Sequence, residues 1–183
     1  MTALAKNMTA FLQKIKMIPL LGPGLGKLRY AATAGWKRDP TVLISMDIKE
    51  DRAFILQIGS NDGISGDPIF KLMKKRPGWE GLFVEPVPYL FRVLKHNYGA
   101  SPRFRFENSA VNDGQAEMFY WVDPKAKEEL TELPEWWEQL GSFRKGYIRE
   151  ILGPTIAGYV RETLIRGITL PGLIDKYGIA SID

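Results

Sequence analysis

The sequence predicts an α/β domain built on a doubly wound sheet, and three observations lead to this class. The stretch Ala53–Ile58 is almost entirely apolar, which is typical of a strand covered on both faces. It runs into a turn that contains Gly59 and Gly63, after which a helix is predicted to begin at Pro68. A second apolar strand, Gly81–Val84, follows that helix. In doubly wound sheets this order of elements forms a unit that binds nucleotides at the carboxyl ends of the strands.

The composition is that of one globular domain with an uneven distribution of charge. The chain has 183 residues, 45% of them hydrophobic, which is enough for one core. Residues 1–40 hold seven basic side chains and one acidic one, and the other residues hold 18 basic and 20 acidic side chains. A slightly negative body argues against a nucleic-acid partner. Because the chain has no cysteine and one histidine, we also expect no disulfide, no metal site and a cytoplasmic protein.

Residues 1–40 are predicted to form a basic leader, and residues 41–183 the domain. Apolar side chains alternate with lysines in the leader, but Pro19 and Pro23 interrupt the apolar run before it could span a bilayer. The simpler interpretation is a helix or loop packed on the domain. The alternative is a weak peripheral contact with an anionic membrane surface.

Two helices are predicted on either side of the second strand. The first runs from Pro68 to Lys75 with Asp67 as its cap. Pro86 and Pro88 open the second helix, and Gly99 stands just past its end. Helices at these places are the crossover connections that a parallel sheet needs.

The next strands are predicted from alternation and turn chemistry. Residues 103–107 alternate charged and aromatic side chains, which is typical of a strand at the edge of a sheet. Residues 112–114 are Asn-Asp-Gly, which predicts a hairpin turn with a returning strand over residues 116–122. Right-handed crossovers place the second strand beside the first and the third strand outermost.

Residues 124–157 are predicted to be largely helical. Helices are expected to begin at Pro134 and to be capped by Ser142, with most aromatic side chains of this segment in the core. Residues 159–168 look extended, and Thr169 is expected to cap a short last helix.

The first turn and the end of the second strand favour a nucleoside ligand that carries no diphosphate. Ser60 and Asn61 stand where a dinucleotide fingerprint has the glycine that lets pyrophosphate approach. Glu85 follows the second strand, 22 residues after Gly63, and a carboxylate there can accept hydrogen bonds from both hydroxyls of an adenosine ribose. Glu85 could instead be an acid that satisfies a helix dipole. The pattern favours S-adenosylmethionine over the alternative of a nucleotide-sugar or NAD.

Taken in order, these motifs resemble the FkbM-type S-adenosylmethionine-dependent methyltransferases. The resemblance covers residues 50–183 through QIGSNDG, GDP, LFVEPVP, FENSAV followed by NDG, then GSF and ITLPGLIDKYGIASID. It implies a class I methyltransferase domain with a Rossmann-like doubly wound sheet, an added hairpin and a helical insertion. It further implies that the first turn surrounds the methionine part of the cofactor, that Glu85 holds the ribose, and that residues 108–110 lie beside the adenine. The residues so assigned are Gly59, Ser60, Asn61, Asp62, Gly63, Glu85, Asn108, Ser109 and Ala110.

The resemblance implies methyl transfer to a hydroxyl of a sugar-like or natural-product acceptor, a small molecule or glycan. Trp136, Trp137 or Phe143 would line the acceptor pocket. The catalytic base is not assigned. Asp62 and Tyr147 are the candidates in this chain, and an acidic family motif of the type Ile-Asp-x-Glu-Gly is the other source.

One position departs from the family pattern. Many such methyltransferases have an acidic residue where Gln57 stands in this chain. We therefore expect Asp62, or a backbone carbonyl of the turn, to bind the ammonium group of the cofactor instead.

In the family, a fourth strand begins where this chain ends, at residues 179–183. We expect the chain to be the amino-terminal half of such an enzyme, with the first strand as an open sheet edge that favours self-association. The alternative to an active enzyme is a non-catalytic remnant or interaction module that keeps this half of the fold.

Overall fold

A computed structural model describes residues 40–183, so the predicted basic leader lies outside the described residues except for its last position. The chain is of the mixed α/β class, as predicted, and separates into two compact units. Every helix in residues 40–183 is too short or too polar to span a lipid bilayer. Within the described range, the first unit holds residues 40–55, 68–80 and 179–183, and the second holds residues 56–67 and 81–178.

The first unit is built from two short helices and the beginnings of two strands. Helix α1 spans Pro40–Asp47, strand β1 spans Ala53–Ile58, helix α2 spans Pro68–Lys75 and strand β2 spans Trp79–Val84. Helix α2 has the predicted bounds, and it buries its apolar face while its lysines remain exposed. This is the division of faces that its amphipathic sequence predicts.

Two contacts fix the ends of this unit. Trp79 is fully buried and donates a hydrogen bond from its indole nitrogen to the carbonyl oxygen of Glu50, at 3.1 Å. The amide of Asp183 donates to the carbonyl oxygen of Phe54 at 3.1 Å, and the amide of Phe54 donates to the Asp183 carboxylate at 3.0 Å. The last residue of the chain therefore lies against strand β1.

The second unit contains the parallel pairing. Strand β3 spans Phe104–Glu107 and pairs in parallel with β2, and the strand order is β1-β2-β3. This confirms that the second strand lies beside the first and the third outermost. Helix α3, Pro88–Tyr98, begins and ends as predicted. Its Tyr98 ring packs on Phe83 of β2 with the ring centroids 4.2 Å apart, which joins the helix to the sheet.

The predicted hairpin after β3 is wrong, although the turn at Asn112 forms. The short strand β4 (Ala110–Val111) pairs in parallel with β7 (Gly167–Ile168), and β5 (Glu117–Val122) pairs antiparallel with β6 (Val160–Ile165). The strands before and after the turn therefore pair with later segments of the chain and not with each other. Six residue pairs join β5 to β6, so the later segment offers β5 a full-length partner.

The segment between β5 and β6 is only partly helical. Helices α4 (Lys125–Glu129) and α5 (Tyr147–Leu152) form, with 3₁₀ turns at Trp137–Gln139 and Pro154–Tyr159. The helix predicted from Pro134 is reduced to the first of these 3₁₀ turns. The apolar side chains of this segment form a core that we call the helical cluster. Its buried members are Val122, Ala126, Trp137, Leu140, Ile148 and Ile156.

The prediction that Ser142 caps a helix is also wrong. Ser142 instead forms an isolated β-bridge with Tyr120, so the backbone here is held to strand β5. Its hydroxyl accepts a hydrogen bond from the amide of Arg144 at 3.0 Å, and α5 begins only after Gly146. By contrast, the Thr169 hydroxyl accepts from the amide of Gly172 at 3.1 Å, which confirms Thr169 as the cap of helix α6, Leu170–Tyr177.

A buried carboxylate at the end of β3 binds three later side chains. Glu107 accepts hydrogen bonds from Arg166, from Lys176 Nζ at 2.5 Å and from the Tyr177 hydroxyl at 2.7 Å. Burial by itself would raise the pKa of Glu107, but these hydrogen bonds and the charge of Lys176 outweigh it and hold that pKa below its usual value. The carboxylate thus joins β3 to the β6–β7 corner and to α6.

Candidate functional site

The turn after β1, residues 59–63, forms a tight corner against the end of β2. Gly59, Asn61 and Gly63 all have positive φ angles, at 77°, 51° and 75°. The amides of Gly59 and Ser60 both donate to the carbonyl oxygen of Val84, at 2.9 and 3.0 Å. This glycine corner is therefore held by the strand that carries Glu85 at its tip.

The two glycines of the corner serve different purposes. A Cβ at Gly63 would lie 2.6 Å from Leu94 Cδ1 and 2.8 Å from Tyr98 Cε2, so the corner packs tightly on α3 at that point. A Cβ at Gly59 would meet no atom of residues 40–183 within 4 Å. Gly63 is thus needed for packing, whereas Gly59 leaves an open side on which a ligand can approach the backbone.

Glu85 faces the glycine corner. It is only 4% exposed, and its Oε2 accepts a hydrogen bond from the amide of Asn61 at 2.8 Å. Its Oε1 accepts from the amide of Val87, just before α3, at 2.9 Å. Burial raises the pKa of Glu85, and the two backbone hydrogen bonds oppose that shift. Each carboxylate oxygen keeps a second lone pair that a ligand hydroxyl could use.

The predicted adenine-side residues lie in the loop after β3. Asn108 Nδ2 donates to the backbone oxygens of Glu85 at 2.7 Å and Pro86 at 3.1 Å, which fixes the loop that follows β2. Ser109 is fully buried, and its hydroxyl has no hydrogen-bond partner in the part of the chain that the structure describes. Ala110 is buried at the start of β4. Asn108 therefore connects this loop to the Glu85 side of the site.

Asp62 and Ser60 are engaged within the corner itself. Asp62 Oδ1 accepts from the amides of Ile64 and Ser65, both at 2.8 Å, and its Oδ2 accepts from the Ser65 hydroxyl at 2.6 Å. The backbone oxygen of Asp62 accepts from Asn97 Nδ2 at 2.8 Å. The hydroxyl of Ser60 donates to the backbone oxygen of Gln57 at 3.2 Å. The carboxylate of Asp62 thus shapes the loop, and its carbonyl is already used.

Two buried acceptors at this corner lack a donor among residues 40–183. They are Gln57 Oε1 and Asn61 Oδ1, while Gln57 Nε2 donates to Asp67 Oδ2 at 3.2 Å. A buried acceptor without a donor costs about 1–3 kcal/mol, so a donor from water or from a ligand would stabilise both atoms. An ammonium group is a donor of this kind. With the open side at Gly59 and the carboxylate of Glu85, these residues fit an amino-acid end and a ribose of one ligand.

Sequence reasoning missed two residues that the charges of this site affect. They are Tyr89 in the first turn of α3, whose pKa the charge of Glu85 helps to raise, and Glu138 in the 3₁₀ turn Trp137–Gln139. Glu138 and Tyr89 affect each other's pKa, which places them near one another. Burial raises the pKa of Glu138 and the negative charge of Asp62 raises it further, while the nearby Tyr89 hydroxyl opposes both. Tyr89 follows Glu85 by four residues and could have been noticed. No local pattern links residue 138 to the corner.

The pKa of Tyr89 is also raised. The first cause is burial, and the negative charges of Glu138, Glu85 and Asp123 follow. The Tyr89 ring packs on Trp121 with the ring centroids 5.1 Å apart. Tyr89 therefore remains a neutral hydroxyl.

The predicted acceptor-pocket aromatics have separate surroundings. Trp137 is buried in the helical cluster, and Phe143 packs edge-on against Phe119 with the centroids 4.9 Å apart. Trp136 is 46% exposed. Tyr147, a candidate base, packs against the helical cluster. Within residues 40–183, no group of three or more His, Cys, Asp or Glu side chains is arranged to hold a metal ion.

Comparison with protein-family models gives no match, and comparison with curated proteins gives none either. Among solved structures, the chain is similar to a TehB-like SAM-dependent methyltransferase from Corynebacterium glutamicum, with 23% sequence identity and a TM-score of 0.31. The match covers 50% of this chain and 45% of that chain. A likeness at this level carries no argument about the function of the chain.

Proposed function

We propose that the chain binds S-adenosylmethionine at the glycine corner and belongs to an enzyme that methylates a hydroxyl of a sugar-like or natural-product acceptor. The observation that carries the proposal is the buried carboxylate of Glu85, which ends β2 and faces the corner 2.8 Å from the amide of Asn61. A carboxylate at the tip of the second strand, beside a glycine turn after the first, suits an adenosine ribose. The FkbM-type resemblance of the sequence supports the same ligand.

Each residue of the site has a role in this proposal. The second lone pairs of the Glu85 oxygens accept hydrogen bonds from the ribose hydroxyls. The orphaned oxygens of Gln57 and Asn61 accept from the ammonium group, so Gln57 and not Asp62 compensates for the missing acid. The open side of Gly59 admits the amino-acid chain. When bound, S-adenosylmethionine supplies a methyl group on a positively charged sulfur, and the protein contributes positioning and electrostatics.

A second candidate, a non-catalytic module, is favoured by one observation. Both oxygens of Glu85 already accept a backbone amide, so the carboxylate has a structural function without any ligand. On this alternative, Glu85 fixes the corner and the start of α3, and the fold serves only as an interaction module.

Calorimetric titration of the full chain separates these possibilities. We expect S-adenosylhomocysteine to bind and NAD to show no binding at the same concentration, because Ser60 and Asn61 leave no glycine for a pyrophosphate. Binding of NAD in preference would overturn the proposal. If neither ligand binds, the non-catalytic module is favoured.

Glu85→Ala is expected to weaken S-adenosylhomocysteine binding about 10- to 100-fold, which corresponds to about 1.5–3 kcal/mol for hydrogen bonds to a charged group. The substitution also leaves the amides of Asn61 and Val87 without their acceptor, so unfolding must be followed in parallel and binding measured well below the melting temperature. Glu117→Ala, at an exposed acid on β5, is the control and should leave the affinity unchanged. Unaltered affinity in a folded Glu85→Ala protein would remove the ribose role.

A further inference from the structure

The loop after β3, residues 108–110, lies beside the strand end that carries Glu85. The amide of Glu85 donates to the backbone oxygen of Glu107 at 3.0 Å, and Asn108 Nδ2 donates to the backbone oxygen of Glu85 at 2.7 Å. In S-adenosylmethionine the ribose stands between the amino-acid chain and the adenine. With the amino-acid end assigned to the corner after β1 and the ribose to the end of β2, the strand order β1-β2-β3 leaves the adenine beside this loop.

Arg166 contacts both ends of the loop. Its side chain binds the carboxylate of Glu107, just before the loop, and the Glu107 side chain is only 2% exposed. Its backbone oxygen accepts a hydrogen bond from the amide of Ala110, the last residue of the loop, at 3.0 Å. Between these two contacts, Ser109 is fully buried. The loop is therefore anchored on both sides, and the bond to Glu107 helps to fix the segment that carries Arg166.

Helix α6 keeps the Glu107 side chain in one place. Lys176 Nζ and the Tyr177 hydroxyl lie 2.5 and 2.7 Å from its Oε2, while Arg166 binds its Oε1. Arg105 of β3 also donates to the backbone oxygen of Tyr177, at 2.8 Å. Because separate elements engage its two oxygens, the carboxylate has little freedom to turn, which is the support that a positioning group needs.

We propose that Glu107, acting through Arg166, is a positioning residue for adenine and holds residues 108–110 in the conformation that recognises the base. The proposal rests on the proposed function. A base is recognised by hydrogen bonds to its edge, and these weaken steeply when donor and acceptor leave their preferred distance and angle. The Arg166 side chain is 64% exposed, so water competes for its guanidinium, and the buried carboxylate retains it at the loop. The preference for adenine therefore depends on Arg166 and α6, which are distant from the loop along the chain.

The test compares S-adenosylhomocysteine with S-inosylhomocysteine, in which hypoxanthine replaces adenine and the donor and acceptor of the base edge change places. Calorimetric titration of the full chain should show tighter binding of the adenine ligand. Arg166→Gln keeps the backbone oxygen that Ala110 uses. It is expected to weaken S-adenosylhomocysteine binding about 3- to 10-fold, the scale of one hydrogen bond, and to change S-inosylhomocysteine binding less than about 2-fold. The preference for adenine should fall accordingly.

Arg144→Gln is the matched control. It removes an arginine of similar exposure, 59%, from a surface pair with Glu150, and should change neither affinity. Glu107→Gln is the second variant and should lower the preference for adenine in the same direction. Because this substitution removes a buried charge, its binding must be measured well below the melting temperature of the variant.

The outcomes separate this inference from the proposed function. If the unaltered chain binds neither ligand, the proposed function fails and this inference with it. If the chain binds both ligands equally, or if Arg166→Gln weakens both by the same factor or neither, the proposed function stands and the positioning role of Glu107 is overturned. A loss of preference for adenine, seen with Arg166→Gln and Glu107→Gln and not with Arg144→Gln, supports it.

Discussion

Gly63→Ala is expected to lower the free energy of unfolding by about 3 kcal/mol or more. A side chain in the left-handed region costs about 1–2 kcal/mol, and overpacking costs typically about 1–3 kcal/mol more. Both apply here, because Gly63 has a φ of 75° and its new methyl group would lie 2.6 Å from Leu94 and 2.8 Å from Tyr98. Urea denaturation followed by circular dichroism measures the loss.

Gly59→Ala is the matched control, since Gly59 has nearly the same φ, 77°, but its methyl group would meet no atom of the described residues within 4 Å. Gly59→Ala should lower the free energy of unfolding only by the cost of a side chain in the left-handed region, about 1–2 kcal/mol. If S-adenosylmethionine binds as proposed, this same variant loses ligand affinity because the methyl group stands on the open side. Equal destabilisation by the two substitutions would show that packing on α3 does not distinguish the glycines.

Glu107→Gln is expected to destabilise the chain by about 2–3 kcal/mol, the scale of hydrogen bonds from charged donors to a buried carboxylate. The estimate stays below the cost of breaking a fully buried pair because Arg166 and Lys176 are 64% and 43% exposed and can return to water. Thermal and urea denaturation measure it. Glu150→Gln is the control, since Glu150 pairs with Arg144 on the surface and should cost about 0–1 kcal/mol.

Glu107→Gln is also expected to change how the stability of the chain depends on pH. The pKa of Glu107 is lower in the folded chain than its ordinary value of 4.5. The stabilisation is therefore complete above that ordinary value and is lost as the pH falls through the lower, folded value. Glu107→Gln should flatten this acid limb of the stability curve.

The pKa of Glu85 is shifted the other way. The contribution of Glu85 to the free energy of unfolding is therefore present below pH 4.5 and declines as the pH rises through the raised, folded value.

The sequence predicted the elements whose determinants are local. The apolar run of β1, the corner with Gly59 and Gly63, the bounds of α2 and the cap at Thr169 each depend on a few consecutive residues, and all are confirmed. The order β1-β2-β3 followed from crossover rules that hold for almost all parallel sheets.

The errors concern partners that are distant along the chain. Asn112-Asp113-Gly114 does make a turn, but a turn motif does not reveal that β4 and β5 pair with residues 160–168. Ser142 and Pro134 have the residue types of helix starts, yet pairing with Tyr120 and burial of Trp137 decide the backbone there. Glu138 comes near Tyr89 only because this segment folds back, which no spacing in the sequence encodes.

In the candidate site, too, the features that depend on local sequence or strand order could be predicted, and those that depend on packing could not. That Glu85 would face the glycine corner followed from strand order, because the ends of neighbouring parallel strands share one edge of the sheet. Gln57 departs from the pattern of the family that the sequence resembles, but the burial of its oxygen, which has no donor among residues 40–183, depends on the packing around it. The occupied carboxylate of Asp62 likewise depends on how the loop closes on Ser65.

The double attachment of Glu85 has a consequence for measurement in solution. One carboxylate protects two backbone amides from deuterium exchange, that of Asn61 in the corner and that of Val87 ahead of α3. A ligand that also hydrogen-bonds to these oxygens, or acidification that neutralises the carboxylate, changes the exchange of both amides together, although they are 26 positions apart in the chain. The exchange rates of these two amides, measured together, therefore report whether a ligand is bound at Glu85, and the measurement needs no acceptor molecule.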